Sequence, residues 1–577
     1  MVAYSKKHSN LQIAFVNPPH ADWSLAPNLT YLMFKSHYTR FGKYSDSVTW
    51  IPAPYKWNKY KNYNEVYNEI KHADIILFSC YAWNYNICDA LAKIAKADGK
   101  ITVLGGPHIG TNEPELLEER HNYYDFICQP TKPGEPFIED TIDLWFEDRL
   151  NAEDIAWEIR SKKPPQPFNI AEQDYSVYED NMDYFKETYQ YATEHKLEPT
   201  IILETTRGCP YKCVFCEWGG GIGTKIYKKK TEIVQRDILA LKEIGYSDAY
   251  LADANFGAFF DRDLDIYRFA WKNNFFLTDI SQVKLTSYEK RKKIVDAWFD
   301  IVLEVDGAEQ TNNYVVEGEQ KTTDMFHGYT NPNIVPNVAI QTLSDEAMDV
   351  CGRVDLKAKE KVALAKHIRY RCEKEGIQPP GLELILGMPG STLDDFYEEM
   401  ALFYYFKNWT VWRYDYMFLP DNELNSTAYK EEHKIETVKV YFDTSTEDSN
   451  DFKESLYKGM KTEFRTMASC YSFTREEYWQ MWFMNSAGNY LLQHYYDDFK
   501  QWYNPGDFCK ACWELFQHYD GFEPLWLETQ DILNPDTPTR SIKELNGKFR
   551  VEAIGEFIDA NALLLKSELL EGVLLAG

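Results

Sequence analysis

"RGCPYKCVFCEWGGG", residues 207–221, gathers three of the chain's 11 cysteines within eight residues. Cys209, Cys213 and Cys216 are spaced CxxxCxxC. A structural zinc site would need a fourth soft ligand at comparable spacing, usually from a second CxxC or a CxxH. None follows nearby: His195 and His327 lie outside that spacing, and Cys509 and Cys512 are far along the chain. Iron prefers thiolate ligands, and a 4Fe-4S cube held by three cysteines leaves one iron without a protein ligand. That open iron needs a small molecule to complete it. Gly208 and Pro210 bracket the first cysteine, where the loop must bend, and Phe215 before the third can shield a cluster or simply pack.

The cysteine loop follows an apolar run, "TIILETT" (200–206), that reads as the first strand of a strand–helix series. Further strands are expected at 249–253, 281–287, 300–307, 337–343, 382–390 and 412–420. Helical spacing predicts 231–244, 262–273, 288–298, 345–349, 357–375 and 392–407 between most of them. About six such units fit a partial or full TIM-like barrel, with a second Rossmann-like sheet as the alternative. Upstream, "LQIAFV" (11–16), "ADIILFSC" (73–80), "ITVLGGPH" (101–108) and "YDFICQP" (124–130) are nearly continuous apolar runs alternating with helices. They predict a doubly wound parallel sheet whose ligand would lie at the carboxyl ends of the strands. The expected organisation is an α/β chain. A Rossmann-like domain spans 1–150, a polar linker 151–198, the barrel 199–420 and an aromatic-rich α-helical region 421–577.

A chain of 577 residues is too long for one hydrophobic core. Its 62 Lys and Arg against 90 Asp and Glu give a formal charge of −28, which argues against a non-specific nucleic-acid binder. "KIYKKK" (225–230) is one short basic candidate, more naturally a solvated face. No signal peptide and no apolar run near the ~18 residues of a membrane span appear, so the chain reads as soluble and cytoplasmic. Scattered cysteines do not suggest a disulfide scaffold. The 16% aromatic content fits deep ligand pockets and aromatic cores equally.

"ETTRGCPYKCVFCEW", with its preceding strand and the later motifs, resembles the radical S-adenosylmethionine superfamily. The resemblance implies that S-adenosylmethionine chelates the open iron. Its reductive cleavage, fed by a flavodoxin or ferredoxin, would release a 5′-deoxyadenosyl radical that abstracts hydrogen from an unactivated position. A structural zinc or redox-only cluster is the alternative. "LADANFG" then places Asp253 and Asn255 near the methionine moiety or the substrate, although the family's usual Gly-Gly-Glu is absent. "AIQTLSDEAMDVCGR" offers Gln341, Thr342 and Arg353 as cofactor contacts, "LELILGMPG" offers Gly387 beneath the adenine, and "LEVDG" offers Glu304 and Asp306. Phe215 joins the same set.

"AFVNPP", "LFSCYAWN" and "VLGGPH" resemble, in that order, the cobalamin-binding domain found ahead of some radical enzymes of this superfamily. Candidate contacts are Asn17, Trp83, Asn84, Gly105, Gly106 and His108, with Trp83 against the corrin. The Asp-x-His-x-x-Gly loop that would ligate cobalt is missing, as it commonly is in the fused enzymes. The appearance is that of enzymes acting on peptides and natural products. Methylation of an unactivated carbon is the first expectation. A cobalamin-free radical epimerase is the second, with Cys351 or Cys372 as hydrogen donor, and Cys470 or Cys509 less so. A non-catalytic cobalamin sensor is the alternative from another class. Cys509 and Cys512 sit at i, i+3 and are too few for an auxiliary metal site.

Overall fold

In the computed structural model the described residues are 10–19, 24–25, 27–166, 168–216, 225–278, 286–304, 313–316, 319–322, 338–375, 381–406, 411–443, 456–457, 461–534 and 548–576. Five parallel strands open the chain: Leu11–Val16, Val48–Trp50, Ile75–Ser79, Ile101–Gly105 and Phe126–Ile127. The second lies outside the first, so the order in the sheet is 2-1-3-4-5. This is a flavodoxin-like doubly wound order, and its switch point falls between Leu11–Val16 and Ile75–Ser79. Both strands are buried on both faces, which explains their unbroken apolar character.

Residues 151–198, expected as a linker, carry the helices Val177–Asp180 and Met182–Glu194. Tyr178 and Phe185 from these helices are buried in the main core. Six parallel strands follow as two three-stranded halves. One half is ordered Phe276–Thr278, Asp248–Leu251, Ile202–Leu203, and the other Val338–Gln341, Leu382–Leu386, Val411–Asp415. This is a partial barrel. Helices Thr231–Ile244, Phe260–Lys272, Ala358–Glu375 and Leu393–Tyr405 fall where their spacing predicts.

Three expectations change. The third barrel strand is Phe276–Thr278, while the predicted 281–287 falls mostly outside the described residues. Residues 300–304 are not a strand: the helix Tyr288–Glu304 runs on, because Ile294, Val295, Trp298, Phe299 and Ile301 continue one buried helical stripe. Glu304 consequently ends a helix and pairs with Arg268 at 3.1 Å, and Asp306 lies outside the described residues. After 421 the chain is not purely helical. A three-stranded antiparallel sheet of Met417–Phe418, Lys461–Ser469 and Glu436–Asp443 precedes the helices. In "ETVKVYFD" Val438 and Val440 are buried while Lys439 between them is exposed, a period of two that reads as strand. The helices Arg475–His494, Pro505–Phe516, Phe522–Ile532, Lys548–Ala560 and Ala562–Ala576 complete the chain. No helix among the described residues is long and apolar enough to cross a membrane.

Candidate active site

The cysteine loop leaves the first barrel strand, and buried polar side chains fix its start. Asp253, at the end of the second strand, accepts the backbone N–H of Thr205 at 2.8 Å and of Thr206 at 2.9 Å, and also the Thr205 hydroxyl. Burial pushes its carboxyl up to about 6 despite those donors. Arg262 bonds the Thr205 carbonyl at 3.0 Å and the Lys229 carbonyl at 2.9 Å. Arg207 grips Glu204 through two nitrogens at 2.8 and 2.9 Å. Its third nitrogen reaches Glu135 of the N-terminal domain at 2.8 Å. Gly208 has φ +103, and a Cβ there would lie 2.3 Å from the Lys225 carbonyl. Here "KIYKKK" is neither a basic groove nor a plain solvated face. Tyr227–Lys228 pairs antiparallel with Thr206–Arg207, and Lys229 is buried 3.5 Å from Asp237.

Past Gly208 the loop is clamped from the opposite half-barrel. Val214 N–H donates to the Cys351 carbonyl at 3.0 Å, and Asn422 Nδ2 to the Phe215 carbonyl at 2.8 Å. Cys209 and Cys213 are buried and Cys216 is half-buried. Asn255 Nδ2 donates to Cys209 Sγ at 3.0 Å, and its Oδ1 is buried without a partner among the described residues. So of the two residues predicted from "LADANFG", Asp253 is committed to the loop backbone. Asn255 keeps an unused acceptor beside the first cysteine.

On the facing strand ends, Gln341 is 8% exposed and holds φ +67 at a register shift in the strand pairing. A non-glycine residue in that region is strained, and such strain clusters at ligand sites. Thr342 is instead bonded to Glu399 at 2.8 Å, and Arg353 to Asp355 at 2.9 Å and to the Ala339 carbonyl at 2.6 Å. Arg291 reaches the other oxygen of Asp355 at 3.1 Å, leaving its Nε buried and unpartnered among the described residues. Lys361, its ammonium on the Ile340 and Thr342 carbonyls, is driven down to about 8 by burial. Arg291 and Arg353 thus share the buried Asp355 carboxylate, with the Lys361 ammonium in the electrostatic reach of both Asp355 and Glu399, a charged cluster that sequence reading did not assemble. Arg291 hides in "EKRKK", and only the phase of its helix shows that it faces inward. Gly387 has φ +79, and a Cβ there would lie 2.6 Å from the Tyr478 ring, so it is a close-approach position whose neighbour on that side is a C-terminal helix. Cys351 lies against the cysteine loop; Cys372 has Glu375, Arg371 and Glu373 of its own helix as charged neighbours. Cys509 and Cys512 are core thiols whose pKa burial raises.

At the N-terminal switch point Asn84 is fully buried. Its Nδ2 donates to Asn17 Oδ1 and the Pro18 carbonyl, both at 3.0 Å, and to the Ser79 carbonyl at 3.2 Å. It is the fastener between the two strand ends. Gly106 has φ +99 and a Cβ there would lie 2.3 Å from the Cys80 carbonyl, so the backbone of Cys80 uses the room expected for a ligand. A Cβ at Gly105 would make only ordinary contacts, with Cys128 Cβ at 3.9 Å and the Phe78 carbonyl at 4.0 Å. Trp83 is 37% exposed and stacks on Tyr81 at 4.6 Å. His108 stacks on Tyr85 at 4.7 Å, its Nδ1 buried and unpartnered among the described residues. Burial and Arg120 lower its pKa, so the ring is neutral. This face is tied to the barrel: Asp421 accepts the backbone N–H groups of Ile109, Gly110 and Thr111, the last at 2.6 Å.

Among the described residues no group of three or more His, Cys, Asp or Glu is gathered at metal-holding distance. The donor set itself suits an iron–sulfur cluster: three thiols on one loop, none in a disulfide, with an unused amide oxygen beside the first. At the N-terminal strand ends, Gly105, Trp83 and the unpartnered His108 nitrogen suit a large planar cofactor.

A flavodoxin-like domain joined to a partial barrel and a helical region is the fold of cobalamin-dependent radical S-adenosylmethionine enzymes, and the chain resembles them in sequence as well. It is 23% identical over 396 residues to the cobalamin-dependent radical SAM methyltransferase TokK of Streptomyces tokunonensis, covering 65% of this chain and 51% of that protein. It is 29% identical over 208 residues, 34% of this chain, to the 2-(S-pantetheinyl)-carbapenam-3-carboxylate methyltransferase of Streptantibioticus cattleyicolor, covering 30% of that enzyme. At most, then, the chain spans about half the length of these curated relatives. Among solved structures, TsrM of Kitasatospora setae with cobalamin and an iron–sulfur cluster bound superposes with a TM-score of 0.54. That match has 13% identity and covers 82% of this chain and 91% of TsrM. OxsB without its ligands gives a TM-score of 0.55 at 13% identity, over 98% of this chain and 80% of OxsB. No protein-family model matches.

Proposed function

We propose that this chain is a cobalamin-dependent radical S-adenosylmethionine enzyme that methylates an unactivated carbon of a peptide or natural-product-like substrate. The observation that carries the reading is the loop Cys209–Cys216. It is pinned to the N-terminal domain through Arg207–Glu135, while Asn255 Oδ1 has no partner among the described residues beside Cys209. Cys209, Cys213 and Cys216 would hold a 4Fe-4S cluster, and Asn255 and Gln341 would contact S-adenosylmethionine. Gly105, Trp83 and His108 would line the cobalamin site. Together these groups supply hydrogen abstraction and a methyl donor. The protein's part is placement. Arg207 and Asp421 hold the two strand-end faces toward one another, and the contacts of Asp253 and Arg262 keep the loop from relaxing. A reacting pair held about an ångström out of place loses much of its rate. A flavodoxin or ferredoxin is the electron donor this chemistry calls for.

Incubation with methyl-deuterated S-adenosylmethionine tests the reading. Deuterated methyl on the product, with 5′-deoxyadenosine formed alongside, is the expected result. A product of unchanged mass that gains one solvent deuterium would replace it with epimerisation. That second reading is favoured by one observation, the buried Cys351 thiol against the cysteine loop.

A further inference from the structure

Next to the cysteine loop lies a line of oxidisable side chains that the proposed methylation does not use. Cys351, whose carbonyl accepts Val214 N–H, is fully buried, and its Sγ lies 3.2 Å from the Tyr416 hydroxyl and 4.0 Å from that of Tyr429. Tyr416 also meets the Phe215 ring edge-on at 6.1 Å. From Tyr429 the line continues outward. Its ring centroid is 4.3 Å from that of His433, and His433 is 5.8 Å from Tyr471. Tyr471 is 42% exposed and donates to Glu346 at 2.9 Å.

We propose that Cys351, Tyr416, Tyr429 and Tyr471 form a relay that carries a stray one-electron oxidising equivalent from the cysteine loop to the surface. It rests on the reading of that loop as a radical source. An aliphatic carbon radical that misses its target takes a hydrogen atom from the Cys351 S–H, because a C–H bond is stronger than a thiol S–H. Sulfur, now one electron short, recovers a hydrogen atom from the Tyr416 or Tyr429 hydroxyl. Tyr471 fills the tyrosine deficit with an electron passed across the His433 ring, and water returns the proton. The Tyr471 proton goes to Glu346, and a small-molecule thiol in solution supplies the last electron, two such thiols ending as a disulfide. Burial keeps Cys351 as a thiol, its pKa pushed up to about 11, and raises that of Tyr416, so both hold the hydrogen the relay hands on. The direction is outward. A tyrosine accepts a hole readily, whereas electrons entering toward a low-potential cluster would find no acceptor level on a phenol.

The test uses the full-length chain without metal, so its result does not depend on the loaded enzyme. A ruthenium photosensitiser is coupled to the introduced thiol of Lys212→Cys in a Cys216→Ala background, since Lys212 is exposed on the loop. Flash oxidation with a nitroso spin trap in solution, followed by peptide mass mapping, reads where the hole arrives. The relay predicts a trapped adduct at Tyr471 that is lost in Tyr429→Phe and diminished in Cys351→Ala and Tyr416→Phe. Each variant must show the parent circular dichroism. A Tyr471 adduct that persists undiminished in Tyr429→Phe, or its absence in the parent protein, overturns the proposal. Tyr471→Phe, a surface change, provides a variant whose folding is not at issue; it should shift trapping inward to Tyr429. Failure of the radical-enzyme reading is seen separately, as no 5′-deoxyadenosine from reconstituted wild-type protein.

Discussion

The two strand-end faces that meet in this molecule are built in different proportions of backbone and charge. At the N-terminal sheet the strand ends hold themselves, since Gly106 folds onto the backbone of Cys80 and one buried amide, Asn84, ties two neighbouring strands; charge enters only in the following loop, where Arg120 takes the His108 and Ile109 carbonyls and Asp421 three backbone N–H groups. At the barrel, charged side chains do the holding. Asp253, Arg262 and Arg207 fix a loop that pairs only briefly with neighbouring backbone. A sheet that presents a large cofactor needs a smooth, close-packed rim. A loop that must project three thiols has few backbone partners, and buried charge supplies the rigidity.

The sharpest break of this contrast is at the thiols. Replacing any one of Cys209, Cys213 or Cys216 by Ser should lower bound iron and sulfide of the anaerobically reconstituted protein and abolish 5′-deoxyadenosine formation; retention of both in all three variants would dismiss the cluster assignment. Next in size is Arg207→Met, which strands the buried carboxylates of Glu135 and Glu204. Loss of one partner of a buried pair costs about 3–5 kcal/mol, to be read from denaturant unfolding of the full chain.

Gly106→Ala tests the other face. A positive-φ position made to carry a Cβ costs roughly 1–3 kcal/mol before any collision with Cys80 is counted. Gly105→Ala should leave unfolding nearly unchanged, because a Cβ there meets only ordinary contacts at 3.9 and 4.0 Å, and lower cobalamin uptake measured by absorbance. Equal stability loss in both variants would remove the distinction. The smallest effect is in pH. The Asp253 carboxyl sits at about 6 against an ordinary 3.8, so the folded chain binds a proton in that window that the unfolded chain does not. The site therefore adds stability as pH falls from about 6 toward about 4, with a slope of at most about 1.4 kcal/mol per pH unit. Comparing unfolding of the parent protein and Asp253→Asn across that window should show the segment flattened in the variant.

Much of the architecture was legible from local pattern. The helix expected at 231–244 is Thr231–Ile244, and the strand expected at 11–16 is Leu11–Val16, because each buries a regular stripe or an unbroken apolar run. Where two periods compete the reading failed. "DIVLEVDG" is apolar and β-branched enough for a strand, yet Ile301 continues the helical stripe begun at Ile294. "ETVKVYFD" has a clear period of two that the surrounding helical composition masked.

The candidate site divides in the same way. Sequence alone determined that three thiols share one loop at the head of a barrel, that glycines follow a strand end in the front domain, and that no fourth ligand stands nearby, since spacing along the chain is local information. Which of the remaining residues face a ligand was decided only by tertiary structure. Asp253 and Asn255 are two residues apart in one motif, yet one is bonded to two backbone N–H groups and the other keeps an oxygen with no partner among the described residues beside Cys209. Gly387 and Tyr478 are 91 residues apart and occupy one space, as Arg291 and Arg353 share one carboxylate from separate elements. A side chain's partner is set by where distant strands and helices bring their ends, and burial then fixes its charge.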